Sequence, residues 1–377
     1  MKKSLFLLLL SAVIIQGCSN ARPPLPELPK LANEVDLHKD WRTGVDGDFG
    51  ETSERFSLVA KDDQLYLVTD QGTLYVLNQQ DGDVISKIET QYPASSGVAL
   101  QGDTIYFGTY DAQLIAVSLS DKSVLWEKSL SSEILAEATY AAGRVAVQTA
   151  DGWLSVLEAD SGNTLWRAKA DLPALTVRGT SAPAIAGGLV ISGFADGQVK
   201  AFSLESGEEV WAYAVGKPEG RYEIERLSDV DGRLVVKDNV VYAVAYNGTL
   251  VALSLSTGRP LWQRNIASAV GVAVKDDLLV VVDMQSKVMA LNAKNGTEIW
   301  QNSELLDRDL ITPEFFGQYL ALMDRAGFVH LLDVKSGNIV ARTLANEIDV
   351  PPGSRMLAKD KRLFILTPDE DVTALTY

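Results

Sequence analysis

Five tryptophans, Trp126, Trp166, Trp211, Trp262 and Trp300, each stand fourteen residues after a turn position, at Ala112, Gly152, Gly197, Gly248 and Ser286. Two further copies keep this frame without the indole, Gly72 leading to Ser86 and Gly327 to Ala341. Ten residues after each turn position comes a second turn, at Gly82, Lys122, Gly162, Gly207, Gly258, Gly296 and Gly337, so Gly in every unit but one. A chain carrying seven copies of one such frame is a repeat array, in which each unit buries its apolar face against the next.

Between the two turns the residues alternate in character, as in Thr249, Leu250, Val251, Ala252, Leu253, Ser254 and Leu255, the period of two of a half-buried strand. Upstream of each first turn lies a run rich in β-branched and aromatic residues, such as 104–109 or 240–246, and before it a shorter apolar run, such as 181–186 or 270–274. One unit therefore holds four antiparallel strands, A to D, joined by tight turns, with the Trp on D. Successive first turns are 40, 40, 45, 51, 38 and 41 residues apart. That spacing predicts an all-β chain, a β-propeller of four-stranded antiparallel blades.

The 371–375 stretch reads as a strand C with no D after it, and the unplaced Trp41 lies in a segment of the right kind near the other end. The expected fold is thus an eight-bladed ring closed by the N-terminal strand, which removes the open edge a linear array would present. A Trp on the outermost strand, folded back over the neighbouring blade, buries about 150 to 250 Å². All six repeat tryptophans are read as clasps between blades, not as platforms for substrate.

Residues 1–17 have the form of a secretory signal: Lys2 and Lys3, an apolar stretch from Leu5 to Ile15, then Gln16-Gly17-Cys18. Eleven apolar-region residues are too few to cross a bilayer, which takes roughly 20. Cys18 is the single cysteine of the chain, so no intrachain disulfide is expected. Residues 18–33 follow as a proline-rich tether, with Pro23, Pro24, Pro26 and Pro29 favouring polyproline II. Fully extended, such a leash holds a domain roughly 30 Å from its anchor, at about 3.1 Å per residue. Residues 34–377 form one domain, the propeller.

The formal net charge is -16, with no basic run to offset it. Nucleic-acid binding is excluded on that ground, and so is electrostatic attachment to anionic lipid, which leaves a lipid anchor as the expected membrane contact. Only His38 and His330 are present, too little material for a histidine metal site or a Ser-His-Asp triad. Asp229-Val230-Asp231-Gly232 opens like a calcium loop, but its closing position is Val240 where a Glu is required. No catalytic residue, metal or cofactor is assigned.

The two longest steps, 45 and 51 residues, are consecutive, and all their extra length falls after Trp166 and Trp211, in connections from strand D to the next strand A. Such connections emerge on the same face as the B-to-C turns, so two neighbouring blades raise enlarged loops side by side, the usual place for binding in a repeat protein. The first contains Leu175, Val177 and Arg178, the second Asp229 and Asp231. Apolar anchors inside a charged rim suit a protein partner. The alternative is that these residues tuck the loops onto the propeller and pair within the chain.

The unit from Gly152 to Trp166 resembles the repeat of quinoprotein dehydrogenases, which are eight-bladed propellers binding pyrroloquinoline quinone. The adjacent Cys pair those enzymes often carry cannot occur here. The Gln16-Gly17-Cys18 site resembles the lipobox of bacterial lipoproteins, with Gln16 in place of the usual small residue, and Ser19 after the Cys implies sorting to the outer membrane. Together with the tether, the repeats and the segments 175–179 and 226–231, it resembles the propeller lipoproteins of the outer-membrane β-barrel assembly (BAM) machinery. That resemblance implies an outer-membrane lipoprotein acylated on Cys18 and facing the periplasm. It also implies a non-enzymatic scaffold that binds the POTRA domains of the barrel protein BamA through Leu175, Val177, Arg178, Asp229 and Asp231. Val177 stands where that family often has Leu. Other BAM subunits would be met indirectly, and unfolded outer-membrane clients are a further expected partner, through edge pairing with outer D strands. Two rival readings make distinct expectations: a quinoprotein-type dehydrogenase binds quinone and oxidises alcohols or sugars, and an envelope adhesin or glycan-binding propeller is displayed on the cell surface.

Overall fold

The computed structural model describes residues 23–377 except 48, 174, 176–180, 217–220, 222–226, 231, 348–349, 352–353 and 370. Thirty-two strands make eight four-stranded antiparallel sheets, and the only helical element among the described residues is a 3-10 segment at Gly50–Arg55. Blades 1 to 7 occupy 59–89, 99–129, 139–169, 184–214, 235–264, 272–302 and 314–344, each running A-B-C-D in chain order. Blade 3 is typical: Thr139–Ala141, Arg144–Gln148, Trp153–Glu158 and Thr164–Lys169. Strand A is shorter than its apolar run suggests, Ala184–Ala186 in blade 4 against the expected 181–186, because the leading residues belong to the incoming loop.

Blade 8 takes strands A to C from Met356–Lys359, Arg362–Thr367 and Asp371–Thr376, and its strand D is His38–Gly44 from the other end of the chain. The pairing runs antiparallel from His38 opposite Thr376 to Gly44 opposite Asp371, with an irregularity between Lys39 and Trp41. The Arg42 guanidinium donates to the Asp371 carboxylate across this seam. The ring is closed as the sequence predicts.

The alternation in strand C has a different meaning from the one expected. In Trp153–Glu158 the residues Leu154, Ser155, Val156 and Leu157 are all buried, because both faces of a blade pack against neighbouring blades. An inside–outside alternation is clear on the rim strands D, as in Glu209–Ala214. The apolar cores accordingly lie between blades; one joins Ile191 and Trp211 of blade 4 to Val241 and Leu253 of blade 5.

Every repeat Trp reaches forward to the next blade. The indole N–H of Trp126 donates to the Ala159 carbonyl (2.9 Å), Trp166 to Leu204 (3.0 Å), Trp211 to Leu255 (2.8 Å), Trp262 to Ala293 (2.8 Å) and Trp300 to Val334 (2.9 Å). Trp41 does the same to Gln79 of blade 1 (3.1 Å), which carries the series through the closure. Each acceptor sits in the C-to-D turn of the receiving blade, beside the Gly of the second turn position.

The proline-rich segment does not stand free. From Pro23 to Asn33 it lies against blade 7: Leu28 and Leu31 pack on the apolar cluster shared by blades 6 and 7, and the Glu34 N–H donates to the Val340 carbonyl (2.8 Å). The spacer expected to hold the propeller at a distance is therefore docked along most of its length.

Candidate functional site

The loop after blade 3 leaves strand D at Ala170 and turns back over the B-to-C turn of its own blade. A Cβ placed on Gly152 in that turn would lie 3.3 Å from Leu172 Cδ2, so Gly leaves room for the loop to descend. Leu172 and Leu175 then emerge with 46% and 43% of their surface exposed, two large apolar side chains that the propeller does not cover.

The loop after blade 4 returns over its own blade in the same way. A Cβ on Gly197 would be 2.9 Å from Ser228 Oγ, and one on Gly193 would be 2.4 Å from the Val230 carbonyl oxygen, so both positions require Gly for the loop to pass. Ser228, Asp229 and Val230 are buried, and Val230 joins the apolar cluster between blades 4 and 5. Tyr246 of blade 5 donates its backbone N–H to the Asp229 carbonyl (3.0 Å).

Both loops lie on the face of the B-to-C turns and converge on the turn of blade 4. There the Asp196 carboxyl is held above its ordinary range, chiefly by burial and further by the negative charge of Asp171 from the first loop. Ser228 of the second loop meets the adjacent Gly197. Leu172 of the first loop borders Phe194 and Ala195 at the same turn, so the described parts of the two loops meet there.

Of the five positions expected to meet a partner, Leu175 is exposed and Asp229, at 1% exposure, is not. Asp229 belongs to the part of its loop that is tucked onto the propeller, the alternative that the sequence left open. Val177, Arg178 and Asp231 lie outside the described residues, as does Cys18. Leu172 was not anticipated; its signal, an apolar residue flanked by Asp171 and Pro173, was present but unremarkable.

The centre of the ring also carries an unanticipated feature. Strands A of all eight blades line a channel of about 910 Å³, and at its mouth on the loop face Glu137 of blade 3 pairs with Arg355 at the start of blade 8. Burial alone would raise the Glu137 carboxyl, but the charges of Arg355 and Arg233 outweigh it and leave it low. Glu314 of blade 7 is raised by burial, against a backbone hydrogen bond from Ala358 and the charge of Arg233. Among the described residues no group of three or more His, Cys, Asp and Glu is arranged to hold a metal.

Residues 70–302 match the sequence family described as outer membrane protein assembly factor BamB. Curated relatives of that description include those of Pseudomonas aeruginosa, 33% identical over 89% of this chain and 89% of the relative, and Escherichia coli K12, 31% identical over 98% and 97%. Among solved structures, BamB from Moraxella catarrhalis superposes with a TM-score of 0.80 at 26% identity, covering 90% of this chain and all of that one. A quinohemoprotein alcohol dehydrogenase from Pseudomonas putida HK5 reaches a TM-score of 0.71 at 12% identity, a likeness of fold alone. With relatives above 30% identity across nearly its full length, this chain belongs to the BamB family of outer membrane protein assembly factors.

Proposed function

We propose that this protein is a non-enzymatic scaffold of the BAM complex that docks the POTRA domains of BamA on the raised region formed by the loops after blades 3 and 4. The observation that carries this reading is that the described parts of both enlarged loops, Leu172 of the first and Ser228 of the second, meet the blade 4 turn, with Leu172 and Leu175 exposed in the first of them. Exposed aliphatic anchors ringed by charge are what a protein interface needs at its centre. Leu175 supplies such an anchor, and Val177, Arg178 and Asp231 are assigned to the same contact from the sequence of the two loops. Asp229, from its buried place, sets the shape of the second loop. The anchor is an acylated Cys18 in the outer membrane, with the propeller in the periplasm. Capture of BamA from solubilised membranes by Leu175→Arg and Arg178→Glu variants tests the interface, and undiminished capture by both removes it.

One further observation favours a client role beside the docking role. Ile85, Leu125, Leu165, Val210, Leu261 and Ile299 are exposed at one repeat position of strand D around the rim, while Val340, the same position in blade 7, is covered by the N-terminal segment. Six outer strands thus offer an aliphatic side chain and, among the described residues, an unpaired backbone edge to an extended chain. Crosslinking from a photoreactive residue at 125 or 261 to an unfolded barrel protein checks this, and labelling no stronger than from a channel position speaks against it.

A further inference from the structure

Three arginines of blade 7 hold the proline-rich segment by its backbone. Arg325 Nη2 donates to the Pro23 carbonyl (2.6 Å), Arg308 Nη1 to that of Pro26, and Arg342 Nη1 to that of Pro29 (2.9 Å). The acceptors are three residues apart, which is one turn of polyproline II, so successive carbonyls point the same way and a row of guanidiniums can bind them without reading any side chain. Prolines suit this geometry because they are ordered along the helix beforehand and leave their carbonyls unpaired.

The arginines are themselves fixed. Arg308 Nε donates to the buried Asp324 carboxylate (2.6 Å), Arg325 to Asp309 (2.8 Å), and Arg342 Nε to His330 Nδ1 (3.1 Å). Beyond Pro29, the Asn33 side-chain amide exchanges two hydrogen bonds with the Arg342 backbone on the rim (3.0 Å each), its Nδ2 donating and its Oδ1 accepting. The segment then passes directly into His38–Gly44, strand D of blade 8.

We propose that blade 7 carries a polyproline-recognising surface whose partner is this chain's own residues 23–33, and that the docked segment makes blade 7 the membrane-proximal edge of the disk. The orientation rests on the reading of Cys18 as the anchor; the clamp does not. Pro23 is five residue steps from Cys18, a reach of at most about 18 Å, so an anchored Cys18 keeps blade 7 near the bilayer. Arg308 and Arg325 lie in the D-to-A connection and B-to-C turn of blade 7, so the segment leaves from the face that bears the raised loops. In a ring of eight, blade 3 is four steps from blade 7 and blade 4 three. The docking loops therefore lie in the half of that face away from the anchor, turned toward the periplasmic side.

Two measurements separate the clamp from the orientation. In the chain from residue 18 carrying Cys18→Ser, spin labels at Glu27→Cys and Lys335→Cys should give one narrow distance, which Arg325→Gln with Arg342→Gln broadens. A broad distribution in the chain with its arginines intact overturns the clamp. If the paired variant unfolds, protease cleavage within 23–33 of the folded parent serves instead: cutting at the rate of an unstructured peptide overturns it, and cutting at least about tenfold slower upholds it. In vesicles of phosphatidylethanolamine and phosphatidylglycerol, the acylated chain labelled at Lys335→Cys or at the equivalent turn position Asp160→Cys is exposed to lipid-borne quencher. Strong quenching at 335 and weak quenching at 160 is expected; equal quenching overturns the orientation. Failure to attach at all, with the narrow distance retained, removes the anchor reading and the orientation with it while leaving the clamp.

Discussion

Trp166 stands over Gly207 so closely that a Cβ on the glycine would fall 2.6 Å from indole Cδ2. The same relationship joins Trp41 to Gly82, Trp126 to Gly162, Trp211 to Gly258, Trp262 to Gly296 and Trp300 to Gly337. It also accounts for the one second turn that is not Gly. Lys122 belongs to blade 2, and the corresponding residue of blade 1 is Ser86, so no indole covers the turn and a side chain at a φ of 52° has room. Gly207→Ala is expected to cost about 2 to 4 kcal/mol, from the contact and from its φ of 74°. Lys122→Ala should change stability by less than about 1 kcal/mol. Denaturant unfolding of the two variants measures the contrast, and equal losses would refute the clasp.

The exposed leucines and the buried carboxylate of the raised loops should respond differently to mutation. Leu175→Arg is expected to weaken BamA capture tenfold or more, about 1.4 kcal/mol, while leaving the melting temperature unchanged. Asp229→Leu should lower thermal stability locally and affect capture through the loop's shape. Limited proteolysis beside binding measurements distinguishes them.

His330 makes the blade 7 clamp sensitive to acid. Arg342 Nε can only donate, so Nδ1 of His330 accepts, and a neutral ring then places its proton on Nε2, facing the Asp324 carboxylate (3.1 Å). Burial pushes the imidazole down, and Arg342 and Arg308 oppose a second proton, against the pull of Asp324. Burial would raise Asp324, but His330 and Arg308 outweigh it and hold the carboxyl low. Below about pH 6.5 the unfolded imidazole binds a proton that the folded one refuses, so stability falls as pH drops from there toward the lowered folded value. The Asp324 contribution is present above the ordinary carboxylate range and is lost on further acidification. Protonation at Nδ1 would expel the Arg342 N–H and free the guanidinium that holds Pro29. Melting curves between pH 7.5 and 5 should fall for the parent chain and more gently for His330→Gln.

Across the channel mouth, Arg355→Met should cost about 1 to 3 kcal/mol by leaving the Glu137 carboxylate without its partner. The double variant with Glu137→Gln should recover part of that loss. A double-mutant cycle on thermal or denaturant unfolding checks this, and simple additivity of the two changes would sever the proposed coupling.

The fold was legible because its rules are local and repeated. A left-handed turn residue followed at fixed distances by a second turn and a Trp needs no knowledge of tertiary structure, and Trp41 could be assigned to the missing strand by elimination. The position of the enlarged loops followed from counting alone. Their internal arrangement did not: Asp229 and Leu175 each sit in irregular backbone, where no period tells a tucked residue from an exposed one. The arginine clamp was hidden for a related reason. Its acceptors are main-chain carbonyls, identical in every residue, and its partners lie some 280 to 310 positions away. The sole trace is the equal spacing of Arg308, Arg325 and Arg342, seventeen residues each.

Because His38–Gly44 completes a sheet whose other members are Met356–Lys359, Arg362–Thr367 and Asp371–Thr376, the earliest and latest parts of the domain depend on each other. As the chain emerges the first strand must wait, its edge unpaired, until nearly the whole polypeptide has been made. Loss of either His38–Gly44 or Asp371–Thr376 should therefore disable closure as completely as removing an entire blade, and a nascent or clipped chain exposes two sticky edges at once.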